Sequence, residues 1–269
     1  MKHILHPVKD ETVSRLILKH YSGELIQALD SPAIVVGAGP AGLYCALRLA
    51  QAGTEVTIFD HKLSPGGGIW GGSMGCNKVV FQKDVQGILD ELGVSYLEDE
   101  GALVTSSLHF ASTLIARASA HPSIRFFNLL TVVDLCWRDE RIAGVVVNPS
   151  AIELQRLHVD PMVFTAKAVL DATGHDAVLV NLYQRRRNLS LVREFFMNAA
   201  LGEENVIENT QMVAPGLFVA GMAANNVSGG YRMGPIFGGM LLSGQKAASL
   251  MLEYLRIFEE ENHAGESVS

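Results

Sequence analysis

Residues 33–60, AIVVGAGPAGLYCALRLAQAGTEVTIFD, decide the fold. A short apolar strand, Ala33 to Val36, runs into a turn that carries Gly37, Gly39 and Gly42 in G-x-G-x-x-G spacing. An amphipathic helix follows, and a second strand, Glu55 to Phe59, ends at Asp60. Such glycines let the backbone turn sharply, let a pyrophosphate approach it, and let helix and strand pack closely. Phosphates would sit on the unpaired N–H groups at the helix N-terminus. Asp60 stands roughly 20 residues on, where an acid hydrogen-bonds an adenosine ribose. A carboxylate there repels a 2′-phosphate, which favours NAD or FAD over NADP. The glycine motif alone is weak evidence, but strand, helix, strand and acid in register make it strong.

The rest of the chain narrows the classes. With 48% hydrophobic and 18% charged residues, 269 residues can build a sizeable core. A net charge of −7 argues against binding a nucleic-acid backbone, which needs clustered Lys and Arg. The one basic run, Arg185-Arg186-Arg187, reads as a solvated or inter-subunit face. Cys45, Cys76 and Cys136 are odd in number and far apart, so neither a disulfide framework nor a zinc site is indicated. The first residues do not read as a signal peptide, and no run reaches the ~18 apolar residues of a membrane span. A cytoplasmic protein without a membrane partner is expected.

Taken in order, 10–29 reads as a leading helix capped by Asp10 or Thr12, packed on the domain or on a neighbour. The loop SPGGGIWGGSMG, 64–75, holds too many glycines for a simple connector and carries Ile69, Trp70 and Met74, which suggests a ligand-facing role. Phe81 to Leu92 reads as a helix stopped by Gly93, Val94 to Leu97 as a short strand, and Leu108 to Ala120 as another helix. From Ile124 the pattern is β-rich through Val132–Trp137, Ile142–Val147, Ala151–Leu157 and Met162–Thr165. AVLDATG, 168–174, and GLFVAG, 216–221, are buried strands ending in turns. A helix then runs from 231–243 through Phe258.

The predicted fold class is α/β: a three-layer, glutathione-reductase-like dinucleotide-binding fold with a β-rich insertion. One domain is expected over 1–269, with a core at about 30–100 and 166–258, the insertion at about 122–165 and a disordered tail at 260–269. This architecture first suggests an FAD-dependent oxidoreductase. Such enzymes usually place an Asp after the late Gly of the GLFVAG-type strand to hold flavin hydroxyls. Here Met222 stands there, and a thioether cannot accept two hydroxyl hydrogen bonds.

GAGPAGL (37–43), SPGGGIWGG (64–72), HVDP (158–161), DATGHD (171–176) and the Gly221-Met222 pair, followed by RMGPIFGGM from Arg232, converge on one family. Jointly, over nearly the whole chain, they resemble the thiamine thiazole synthases. The resemblance implies an iron-dependent enzyme of the NAD-consuming pentosyltransferase class. It would remove nicotinamide from NAD, isomerise the ADP-ribose to a ketone, condense it with glycine and add sulfur to give an ADP-linked carboxythiazole.

It also implies residue roles. Eukaryotic members carry a sulfur-donating cysteine two residues before the Asp of the Asp-Pro pair. This chain has His158 there, as in the archaeal and bacterial branch that uses free sulfide, and His158 becomes a candidate general acid/base. Asp160 and His175 correspond to the ligands of Fe(2+), a pairing that suits that borderline cation. Arg232 corresponds to the residue that holds the glycine carboxylate. Nucleotide contacts carry over to Gly37, Gly39, Ala41, Gly42, Asp60, His61, Gly68, Val132 and Met222. Ala41 replaces a common Ser, so the backbone must hold phosphate there. The family expectation is a homo-octamer with the metal shared between protomers. Alternatives are the FAD-dependent oxidoreductase, a thiazole-synthase homologue of sugar-phosphate metabolism, and a non-enzymatic NAD-binding sensor.

Overall fold

The computed structural model describes residues 5–72 and 74–266. Helix α1 (Asp10–Gln27) leads into β1 (Asp30–Val36), the glycine turn, α2 (Pro40–Gln51) and β2 (Val56–Asp60). Then come β3 (Lys78–Gln82), α3 (Gln86–Leu92), β4 (Leu97–Asp99), β5 (Ala102–Ser106), α4 (Ser107–Ser119) and β6 (Ile124–Asn128). The chain continues with β7 (Leu130–Arg138), β8 (Arg141–Pro149), α5 (Ser150–Gln155), β9 (Met162–Asp171) and α6 (Val178–Gln184). It closes with α7 (Ala199–Glu208), β10 (Gln211–Ala214), β11 (Leu217–Val219), α8 (Met222–Ser228) and α9 (Gly238–Glu266).

The main sheet has the order β10-β11-β9-β1-β2-β6, parallel from β11 to β6, with β10 antiparallel at the edge. Alternate residues of β1 serve different cores, as a two-residue period dictates. Ala33 and Val35 join the core formed with α2, α4 and α9, whereas Ile34 and Val36 join the core of α6, α8 and the β7–β8 hairpin. Burial on both faces explains why the strand reads as a continuous apolar run.

Register then places the site. Val36 lies opposite both Phe59 and Asp171, and Asp171 lies opposite Val219. The carboxyl ends of four parallel strands therefore share one edge, and the loops that leave them converge. Ligands of open α/β sheets bind there.

Several local readings change. Met162–Thr165 and Ala168 onward form one strand, β9, whose first half pairs with β8 and whose last residues pair with β11. Phe81 belongs to β3, and the helix begins only at Gln86, because Val79, Val80 and Phe81 pair with β5 in a small antiparallel sheet, β3-β5-β4. The short strand expected over Val94–Leu97 starts at Leu97. Ala151–Leu157 is helical over Ser150–Gln155 and not β; Ala, Glu, Leu and Gln are strong helix formers, and Leu154 faces solvent. The N-cap position of helix α1 is Lys9 and not Asp10 or Thr12, no side chain caps it, and none of its residues is buried. Helix α9 runs to Glu266, so the tail expected to be disordered from 260 is helical that far; 267–269 lie outside the described residues. Among the described residues no helix is long and apolar enough to cross a membrane.

Candidate active site

A cavity of about 570 Å³ occupies the edge where the strand ends meet. Its closed end is built on the glycine turn. Gly37 has φ +100°, and a Cβ there would lie 2.3 Å from the Ala172 carbonyl oxygen. A Cβ on Gly42 would lie 2.1 Å from the Gly37 carbonyl oxygen. Gly37 is thus needed for the turn and Gly42 for the approach of α2 to β1. Gly37, Gly39 and Ala41 line the cavity, while Gly42 packs behind it.

Asp60 is buried in the wall, and both of its oxygens are already engaged. Oδ2 accepts from the Ala38 N–H at 2.7 Å and Oδ1 from the Lys62 N–H at 2.8 Å. The acid read as a ribose partner therefore also ties β2 to the glycine turn. A carboxylate has about four acceptor sites, so capacity for a ligand hydroxyl remains. His61 is exposed at the rim, and Val132 and Met222 are buried wall residues.

The glycine-rich loop folds over this end. Gly66 donates its N–H to the Ala38 carbonyl at 2.7 Å, and a Cβ on Gly67 would stand 3.0 Å from Gly39 Cα. Gly67, Gly68, Gly72 and Met74 line the cavity. Ile69, expected to face ligand, is instead fully buried in the core, and Trp70 turns its indole N–H to the Pro65 carbonyl at 2.6 Å. Residue 73 lies outside the described residues.

The open end carries the charged groups. Asp171 ends β9 fully buried and accepts from the Thr173 N–H and hydroxyl and from the N–H groups of Leu179 and Val180. Burial pushes its carboxyl above the ordinary value, against the pull of those four bonds. They fasten the turn that presents His175 to the cavity. The His175 Nδ1 meets Glu194 Oε1 at 2.7 Å and Oε2 at 2.9 Å, and Arg232 Nε lies 3.5 Å from Glu194 Oε2. His175 and Arg232 both line the cavity. Glu194 escaped sequence reasoning; the only local signal was one acid inside the apolar run Phe195-Phe196-Met197 and its neighbours.

His158 and Asp160 are not brought to this cavity. Both are exposed in the loop between α5 and β9, and among the described residues neither has a hydrogen bond or ion pair. Among the described residues no group of three or more His, Cys, Asp or Glu could hold a metal. The His175 imidazole is backed at Nδ1 by a carboxylate, an arrangement that metal-binding histidines also adopt.

Comparison with known proteins agrees with this geometry. The model of the Thi4 family matches residues 14–237. The thiamine thiazole synthase of Pyrococcus furiosus is 44% identical over 250 residues, covering 92% of this chain and 99% of that one. The thiamine thiazole synthase of Thermotoga maritima is 43% identical over 249 residues, covering 93% and 99%. The crystal structure of Thermovibrio ammonificans THI4 superposes with a TM-score of 0.90 at 38% identity, covering 93% of this chain and all of that one. With its fold, its cavity and these relatives in agreement, the chain belongs to the Thi4 family.

Proposed function

We propose that this chain is a thiamine thiazole synthase that consumes NAD, glycine and free sulfide and releases nicotinamide and an ADP-linked carboxythiazole. The observation that carries the reading is one continuous cavity with two chemically distinct ends. The glycine turn and Asp60 can grip an ADP moiety, and His175 and Arg232 stand where the rest of the dinucleotide would react. A volume of about 570 Å³ falls within the roughly 300–1,000 Å³ of ligand pockets.

Each residue then has a task. The backbone N–H groups at the start of α2 face the pyrophosphate, with no help from the side chain of Ala41. Gly68, Val132 and Met222 shape the walls by contact, and His61 reaches the ribose from the rim. Arg232 receives the glycine carboxylate, because a planar guanidinium matches a carboxylate in two parallel hydrogen bonds. Fe(2+), when bound, would supply Lewis acidity. His175 would hold it from one chain and Asp160 from a neighbour, since an exposed loop whose His158 and Asp160 have no partner among the described residues is free to complete another copy's site. His158 arrives on that same loop and exchanges protons during condensation and dehydration. The exposed apolar residues Leu154, Leu157 and Val159 flank this loop and support its burial against a second copy, in keeping with a homo-octamer. No cysteine lines the cavity among the described residues, and Cys45 sits in the core with its thiol pushed up by burial, which supports an external sulfur source.

The test is direct. Protein purified without oxygen is incubated with NAD, glycine, iron(II) and sulfide and analysed by mass spectrometry. An adenylated thiazole carboxylate and free nicotinamide are expected. Folded, iron-loaded protein that leaves NAD intact would overturn the proposal.

A further inference from the structure

At the open end Glu194 touches both functional side chains, His175 and Arg232. We infer that Glu194 is a positioning residue: its carboxylate sets the orientation of the His175 imidazole and holds the Arg232 guanidinium beside it, so that the metal ligand and the glycine binder form one preorganised unit. The inference rests on the roles proposed above for His175 and Arg232.

Geometry carries it. Both Glu194 oxygens lie within 2.9 Å of His175 Nδ1, and one is 3.5 Å from Arg232 Nε. The Glu194 side chain is 13% exposed, against 55% for His175 and 53% for Arg232, so it lies beneath the two groups it supports. An ionised carboxylate can only accept hydrogen bonds. Nδ1 must therefore carry the hydrogen, and in the neutral imidazole Nε2 then keeps its lone pair, as a metal ligand requires. Contact at Arg232 Nε leaves the two terminal nitrogens for a bound carboxylate. Without Glu194 the imidazole is free to rotate and to change tautomer, because among the described residues the other anchor is on its backbone, where Asn226 Nδ2 donates to the His175 carbonyl.

The segment that bears Glu194 is built to hold it in place. Val192 and Arg193 donate their N–H groups to the carbonyls of Val227 and Asn226 at the end of α8. Phe195 N–H reaches the Gly230 carbonyl at 3.0 Å, Arg232 N–H the Phe196 carbonyl at 3.2 Å, and Asn198 N–H the Arg232 carbonyl at 3.0 Å. Arg193, immediately before Glu194, has φ +75°, a conformation that non-glycine residues rarely adopt and that persists where surroundings impose it. The strap thus runs beside the segment that carries Arg232 and aims its single acid between Arg232 and His175.

The experiment compares the full-length wild type with Glu194→Ala, Glu194→Gln and His175→Ala. Anaerobic calorimetry measures iron(II) and ADP-ribose binding, and steady-state assays measure KM for glycine and for NAD. His175→Ala should lose iron(II) binding. Glu194→Ala should weaken iron(II) binding about 10- to 100-fold and raise the glycine KM, with ADP-ribose affinity and the NAD KM unchanged. Glu194→Gln, which keeps a carbonyl oxygen for the Nδ1 hydrogen, should recover part of both losses. Glu194→Ala binding iron(II) and glycine like the wild type, while His175→Ala fails to bind iron(II), would overturn the inference alone. So would a loss of ADP-ribose affinity in step with iron(II) affinity, the mark of general damage. Wild-type iron(II) binding by His175→Ala would remove the underlying reading of the site and the inference with it.

Discussion

The two ends of the cavity are built on different physics. At the glycine turn nearly every group is backbone or buried, and each is fixed by the sheet: Gly37 by the close approach of Ala172, Ala38 by Asp60, and Gly66 by Ala38. At the other end His175 and Arg232 are more than half exposed, rest on loops, and are organised by one carboxylate. The first end is built within one chain. On the proposed reading the second is not, because its His158 and Asp160 stand elsewhere on an exposed loop. A fold can preorganise hydrogen-bond donors through its own ladder, but charged side chains on loops stay near water, because burial would strip their hydration without recompense.

That contrast predicts unequal responses to substitution. The largest concerns the incomplete end. Asp160→Ala and His175→Ala should each lower turnover about a hundredfold or more while leaving ADP-ribose affinity intact. If the site is shared between copies, co-folding the two inactive variants should restore activity, because about a quarter of randomly assembled sites regain both residues. Activity of the mixture no higher than that of either variant would place both residues in the same chain's site.

At the complete end the penalty should fall on the fold. Gly42→Ala drives a methyl group against the Gly37 carbonyl, and backbone cannot yield as a side chain would. A stability loss of about 3 kcal/mol is expected in denaturant melts, with ADP-ribose affinity falling too. A fully stable Gly42→Ala protein would mean that α2 can move away from β1, contrary to the packing described.

Arg232→Lys separates the ends more gently. Lysine keeps the charge but loses the planar fork, so the glycine KM should rise about tenfold while the NAD KM and the melting temperature hold. Equal changes in both KM values would show that Arg232 also serves the nucleotide.

The smallest effect lies between the ends, where Phe237 and Met240 floor the cavity at the start of α9. Glu203 is buried there and accepts from the Gly239 N–H and from Gln82 Nε2 at 2.7 Å. Burial raises its carboxyl above the ordinary value despite those bonds. A raised folded-state pKa contributes stability that is fully present below the unfolded value of about 4.3 and is lost as pH rises through the folded value. Glu203→Gln does not titrate. Its melting temperature relative to the wild type should therefore improve as pH rises from about 4 to 8, and a constant difference would contradict the assignment.

The readable parts of the chain were those governed by local backbone rules. Gly37, Gly39 and Gly42, the apolar runs into Val36 and Val219, and the turn after Asp171 each declare themselves within a few residues. The α/β class and the strand-end site follow from them, since parallel strands must align their carboxyl ends. The HVDP and RMGP motifs were legible as a resemblance only, because chemistry-bearing residues on loops obey no period.

What tertiary structure alone decided depends on partners far away in sequence. Val79 to Phe81 became strand because β5 was available to pair, and 162–171 became one strand because β8 and β11 share its edge. Asp60, read in the sequence as a nucleotide contact, also holds the turn, since Ala38 and Lys62 converge on it. Glu194 gained its place from a strap that follows 230–232 and from no pattern around it. The sequence by itself determined what kind of molecule can be gripped, because phosphate recognition is written in glycine spacing. Only the folded chain decided which side chains meet at the reacting end, because those meetings are long-range contacts between loops.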